Sequence, residues 1–144
     1  MKRVKELDIF KRIREIREFE FGVFYFFKGG IIISEINEGV LFKWENAEKV
    51  MSAAQDIFGM EIPIIYIANR INSYYVVPSS WVMFYKNRNE LAYCAGVGQT
   101  KGSFASVVLE RIFFKNFIAH FQDLDDALLW ALDKSNAINQ PTEE

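Results

Sequence analysis

The sequence specifies an α/β fold, a mixed sheet with an N-terminal hairpin followed by alternating helices and strands, the helices packed on the sheet. Three observations predict it. Phe19 to Phe27 and Ile31 to Ile36 are aromatic and β-branched runs joined by Lys28-Gly29-Gly30. Residues 62–68, 91–97 and 117–121 are short apolar runs, each preceded by a stretch whose apolar side chains return every three or four positions. The segment Phe117-Ile-Ala-His-Phe-Gln-Asp-Leu-Asp-Asp-Ala-Leu-Leu-Trp-Ala-Leu-Asp133 then runs from a short strand into a capped amphipathic helix.

Residues 2–18 mix Lys, Arg and Glu with Val4, Leu7, Phe10, Ile13 and Ile16 at a near-helical stride. They read as a charged N-terminal extension, residues 1–18, ahead of one domain at 19–134 and a flexible tail at 135–144, with the boundary between helix-like and strand-like readings open near Phe19. The glycine connection after Phe27 makes the first two strands of the domain an antiparallel hairpin. From Glu45 to Phe58, the residues Ala47, Val50, Met51, Ala54, Ile57 and Phe58 form one helical face, and Gly59 supplies a C-terminal stop. Ile62 to Ala68 is continuously apolar, the pattern of a strand covered on both faces and placed near the sheet centre.

Pro78 suits the first position of a helix with Trp81, Val82 and Tyr85 on one side, ended by Asn87 through Asn89. Leu91 to Val97 is another buried strand. A loop from Gly98 to Gly102 follows, and Ser103 caps a helix bearing Phe104, Val107, Val108 and Ile112. Phe117 to Phe121 is the last strand. Asp123 is placed to cap the last helix, Asp126 stands three residues on, and Leu124, Ala127, Leu128, Ala131 and Leu132 form its apolar face, with fraying from Asn136. Right-handed crossovers make the later strands parallel.

The 144 residues suit one domain with a substantial core, and an apolar share of 51% with fourteen Phe rules out a disordered chain. That aromatic surplus serves either packing or an interface. A net charge of −2, spread without a basic stripe, lacks the phosphate-neutralising footprint of a nucleic-acid binder. No apolar run follows Met1-Lys-Arg-Val-Lys-Glu6 and no uncharged stretch reaches spanning length, so the expectation is a cytoplasmic protein without membrane insertion. The lone Cys94 excludes an internal disulfide and reads as a buried structural thiol.

Gly39-Val-Leu-Phe-Lys-Trp-Glu-Asn-Ala47 leading into a helix, Ile62-Pro63-Ile64-Ile65 as a central strand, and Phe121-x-Asp123-x-x-x-Ala127-x-x-Trp130 at the end follow in an order and spacing that resemble the STAS-type domain (sulfate transporter and anti-sigma factor antagonist). Its small bacterial single-domain members, similar to the sporulation anti-anti-sigma factor, are the nearer likeness, over roughly residues 19–134. The resemblance implies a STAS-like fold that docks a kinase-like regulatory protein partner, with a phosphorylated serine at the start of the helix after the central strand. Ser79 and Ser80 occupy that place. The family's preceding acidic residue is Pro78 here and its following glycine is Trp81, so the pair reads as first-turn helix residues and phosphoregulation is not expected.

The loop Gly96-Val-Gly-Gln-Thr-Lys-Gly-Ser103 fails the Walker pattern, because Lys101 precedes Gly102, and is mis-spaced for a dinucleotide fingerprint. Gly98, Thr100, Lys101, Gly102 and Ser103 stay open as contacts for a phosphate or carboxylate, or as a plain connection. His120 has no nucleophile motif to serve and reads as structural. Asp123, Asp125 and Asp126 fit capping and dipole roles, so neither metal nor cofactor is expected. Tyr66, Tyr74, Tyr75, Trp81, Phe84 and Tyr85 would line a pocket for a lipid or other apolar ligand, or else form core or a dimer face. The function expected is a non-enzymatic regulatory protein–protein interaction domain using the surface around residues 72–85, with self-association as a further option. The alternative is a small-ligand or lipid-binding module. An exposed aromatic patch favours the first, an enclosed apolar cavity the second.

Overall fold

Strands β2 (Gly22–Phe27) and β3 (Ile31–Ile36) pair antiparallel, with Phe27 opposite Ile31 and Gly22 opposite Ile36, as the glycine connection predicts. Gly29 and Gly30 take φ values of 90° and 81°. At Gly30 a Cβ would also sit 2.4 Å from the Pro63 carbonyl oxygen, so both backbone sterics and close packing require glycine there. The computed structural model describes residues 1–8, 12–60, 62–87, 91–98, 108–112 and 117–139.

The N-terminal segment, left open between helix-like and strand-like readings, carries a strand. After a single 3₁₀ turn at Val4–Glu6, residues Ile13–Phe19 form strand β1, antiparallel to β2. The apolar positions 4, 7, 10, 13 and 16 are all three residues apart, with no four-residue step. At about 100° per residue such a series winds off any single helical face. As a strand, the same residues alternate between half-buried and exposed, with Glu15, Arg17 and Phe19 turned in and Arg14, Ile16 and Glu18 turned out. Val4 and Leu7 are buried in the cluster that holds Ile33 and Ile67, and Ile13–Phe19 pair with β2.

The remaining elements are β4 (Leu41–Phe42), α1 (Trp44–Phe58), β5 (Ile64–Asn69), β6 (Tyr75–Val76), α2 (Pro78–Lys86), β7 (Leu91–Val97), a helical segment at 108–112 (α3), β8 (Ile118–Phe121) and α4 (Leu124–Asn139). The six-stranded sheet has the order β1-β2-β3-β5-β7-β8, antiparallel up to β3 and parallel from β3 onward. β5 thus lies in the interior, as its unbroken apolar run predicts. The two-residue strands β4 and β6 pair with each other in a separate parallel ladder.

Successive right-handed crossovers stepping one way across a sheet put their helices on one face. Here α1 and α2 pack with Leu109 of α3 against Phe24, Phe26, Ile32 and Ile36 on one side. The last helix covers the other side, with Leu124, Ala127, Leu128 and Ala131 against Ile33, Ile65, Ile67 and Val97. Gly59, at φ 93°, ends α1 and donates its N–H to the Gln55 carbonyl. Asp123 caps α4 as predicted, its Oδ1 accepting the Asp125 N–H at 2.9 Å. The helix runs beyond the expected fraying point, and the buried Ser135 hydroxyl donates to the Gly29 carbonyl at 2.9 Å, tying residues read as tail to the hairpin turn.

Candidate functional site

The two-residue period of β5 sends Ile65, Ile67 and Asn69 to the α4 face and Ile64, Tyr66, Ala68 and Arg70 to the α1 face. Over that second row lies a cavity of about 640 Å³. Its roof is one face of α1, where Ala47, Met51 and Ala54 recur at helical spacing, together with Trp81 and Phe84 of α2. Met60 and Ile62 line it while remaining 79% and 40% exposed, which marks an apolar mouth beside the end of α1. From Ile64 at that end to Arg70 the row spans roughly 20 Å at about 3.3 Å per residue.

Gln55 and Asn87 also line the cavity, and a polar cluster sits at its far end, by the carboxyl ends of the parallel strands. The Arg70 guanidinium donates from Nη2 to Glu110 Oε1 at 3.1 Å, and both side chains are more than nine-tenths buried. It is packed against β7: a Cβ on Gly96 would fall 2.7 Å from Nη1, so glycine makes room for it. Burial works against the Arg70 charge, but Tyr74 and Glu110 more than restore it and its pKa is raised. Nη1 is buried and has no hydrogen-bond partner.

Around that ion pair burial favours the neutral forms of Tyr66, Tyr74 and Cys94. Burial raises the Tyr74 pKa against the pull of Arg70, and raises that of Tyr66 well above its ordinary value. The Tyr66 and Ser34 hydroxyls share a hydrogen bond of 2.6 Å. Burial also pushes the Cys94 thiol up to about 12, although Arg70 opposes the shift. Cys94 is half-buried by accessible surface and lines the cavity. A thiol in that state is not a nucleophile at neutral pH.

The predicted aromatic group is divided by the structure. Tyr66, Tyr74, Trp81 and Phe84 line the cavity, whereas Tyr75 is 45% exposed and Tyr85 packs on the α1-side core without lining it. Ser79 is exposed. Ser80 is buried, and its Oγ accepts the Trp44 N–H at 3.1 Å, one of the donors that the start of α1 leaves without an intrahelical acceptor. Of the predicted anion loop, Gly98 turns at φ 86° and donates its N–H to the Phe121 carbonyl, while Thr100, Lys101, Gly102 and Ser103 lie outside the described residues. His120 is exposed on β8. Among the described residues no three His, Cys, Asp or Glu converge as metal ligands, and no helix is long and apolar enough to cross a membrane.

Arg70 and Glu110 were not singled out by sequence. The available signal was a charged residue that continues the alternation Ile64, Tyr66, Ala68 immediately past an apolar strand. Its partner, forty positions away, left no trace in local pattern. No protein-family model, curated protein or solved structure matches the chain.

Proposed function

We propose that this protein is a small-ligand-binding module that holds an apolar molecule between its sheet and the helices α1 and α2. The cavity carries the reading. Most of its lining is apolar, with Gln55 and Asn87 among the few polar side chains away from the Arg70 end, so a ligand that buries its own apolar surface there gains transfer free energy from both surfaces. The volume also falls within the range of about 300–1,000 Å³ typical of small-molecule sites.

Docking of a regulatory protein through residues 72–85, the function implied by the resemblance to anti-sigma antagonists, has less support. Tyr74, Val76, Ser80 and Trp81 in that stretch are buried, and Tyr74 and Trp81 face the cavity. Native mass spectrometry of protein purified without detergent tests the choice. The expected result is a monomer or oligomer carrying a retained apolar molecule that solvent extraction releases. A protein that carries nothing and takes up no apolar probe would sink the proposal.

A further inference from the structure

The outer edge of the sheet is distinguished by the order of its charges. β1 is the first strand across the sheet, so one of its sides pairs with β2 and no described strand pairs with the other. The helices make their main sheet contacts on β2, β3, β5, β7 and β8. A strand in that position presents a row of unpaired backbone N–H and C=O groups, a template for another strand, and proteins guard such edges with charges, lysines above all, that repel a second copy. β1 does the reverse. Ile13-Arg-Glu-Ile-Arg-Glu-Phe19 carries opposite signs at equal distances on either side of Ile16, Arg14 against Glu18 and Glu15 against Arg17.

An antiparallel pair of such strands, related by a two-fold axis at Ile16, sets residue 15 of each copy opposite residue 17 of the other. Glu15 and Arg17 lie on one face of β1, where Arg17 Nε donates to Glu15 Oε2, and both side chains stay partly exposed. Two copies therefore bring four alternating charges together, neutral in sum, with directly opposite Cβ atoms about 4.5–5.5 Å apart. On the other face Ile16, 43% exposed, meets its own counterpart and loses apolar surface to it. A parallel pairing in register would set Arg beside Arg and Glu beside Glu, so the charges also select the antiparallel arrangement. The match is centred on residues 15–17: the register shifts between Ile13 and Glu15, and the Arg14 guanidinium lies over the Phe58 ring, 5.8 Å from its centre. We infer that β1 is a self-association edge, at which a second copy of this chain adds its own β1 antiparallel about Ile16 and the two six-stranded sheets continue into one.

Sedimentation velocity of the full chain, at concentrations up to about 1 mM, the weak end of specific association, tests the inference. An interface of one strand per copy is smaller than a standard one, so the wild type is expected to pass from monomer to dimer as its concentration rises. Glu15→Arg sets cations against cations across the axis and Arg17→Glu sets anions against anions, and each should weaken dimerisation about tenfold or more. Mixed in equal amounts, those two variant chains are complementary and should form a heterodimer about as tight as the wild-type dimer. The exchange Glu15→Arg/Arg17→Glu keeps the mirrored signs and should also dimerise like the wild type. If a single reversal unfolds the chain, Ile16→Lys, at an exposed position, should weaken the dimer in its place by setting two ammonium groups together on the axis. A wild type that stays monomeric throughout, a dimer indifferent to these substitutions, or folded single variants that fail to recombine overturns the inference.

Discussion

On one face of the sheet α4 lies against Ile33, Ile67 and Ala95, none more than 1% exposed, whereas on the other α1 and α2 stand off from Tyr66 and Ala68 and leave about 640 Å³ between them. The side chains explain the difference. The inner face of α4 carries Ala127 and Ala131, both at 0% exposure, so the helix backbone approaches the sheet closely. The opposite layer carries large rings: Phe84 lies 5.8 Å from Trp44, 5.6 Å from Trp81 and 6.2 Å from Phe42, a cluster that props the start of α1 and α2 away from the strands. On the α4 face the buried Glu35 carboxylate accepts the Val4 N–H at 2.8 Å and the Asn69 amide at 3.0 Å. Burial, and then Glu35 itself, push the nearby Tyr25 hydroxyl up to about 12. That carboxylate accepts two of the protein's own donors and pins the N-terminal segment, and each face keeps one buried polar atom without a hydrogen-bond partner, Asn69 Oδ1 beside Glu35 and Arg70 Nη1 beside Glu110. One face is closely packed and the other encloses space.

The sharpest way to break this comparison is to truncate one isoleucine on each face of β5. Ile67→Ala, at 0% exposure against α4, should lose about 2–5 kcal/mol in urea unfolding, because a transfer term and a new cavity add together. Ile64→Ala should lose clearly less, since its side chain already borders open space and no comparable cavity is created. Equal losses would mean that both faces are packed alike. The converse pair enlarges alanines. Ala127→Leu should destabilise by about 1–3 kcal/mol through overpacking. Ala54→Leu, in the cavity roof, should leave the thermal midpoint level or raise it while weakening uptake of an apolar probe.

The contrast between faces was only half legible in the sequence. The hairpin, β5, β7 and the long helices follow from turn glycines, unbroken apolar runs and caps such as Asp123 and Gly59, all signals confined to a few neighbouring residues. β1 was left open because a three-residue stride of apolar side chains resembles a helix until its lack of four-residue steps is counted. β4 and β6 are two residues each, too short for any period to register. The cavity was legible only as one alternative for the aromatic group, for a deeper reason: Ala47, Met51 and Ala54 would appear in the same order whether they filled a core or roofed a space. Only the separation of helix and sheet distinguishes the two, and rings distant in sequence set that separation.

Cys94 probes the dryness of the cavity face. Its thiol has a pKa pushed from an ordinary 9.0 to about 12, first by burial. The neutral thiol therefore contributes stability that is complete below pH 9 and is lost as the pH rises from 9 towards 12, where the unfolded chain ionises and the folded one resists. Alkylation by iodoacetamide, which depends on thiolate, should accelerate about tenfold per pH unit beyond pH 9 without levelling off, for as long as the protein stays folded. A bound apolar probe should slow it. A plateau near pH 9 would show a solvated thiol and contradict a dry cavity.

The smallest effect sharpens the comparison at the rim of the cavity, where Ser79 and Ser80 are neighbours with opposite surroundings. Ser80→Ala removes the acceptor of the Trp44 N–H at the first turn of α1 and should cost about 1 kcal/mol in denaturant unfolding, the usual worth of a helix-start hydrogen bond. Ser79→Ala, on an exposed site, should change stability by less than about 0.5 kcal/mol. The same asymmetry bears on modification. A dianion on Ser80 would have to enter a space 5% accessible and would turn α1 away from α2, opening the cavity roof, while one on Ser79 would remain in solvent at the start of α2. Ser80→Asp should therefore reduce uptake of an apolar probe and Ser79→Asp should leave it unchanged. If the two aspartate variants bind the probe alike, the Ser80–Trp44 link does not hold the roof in place.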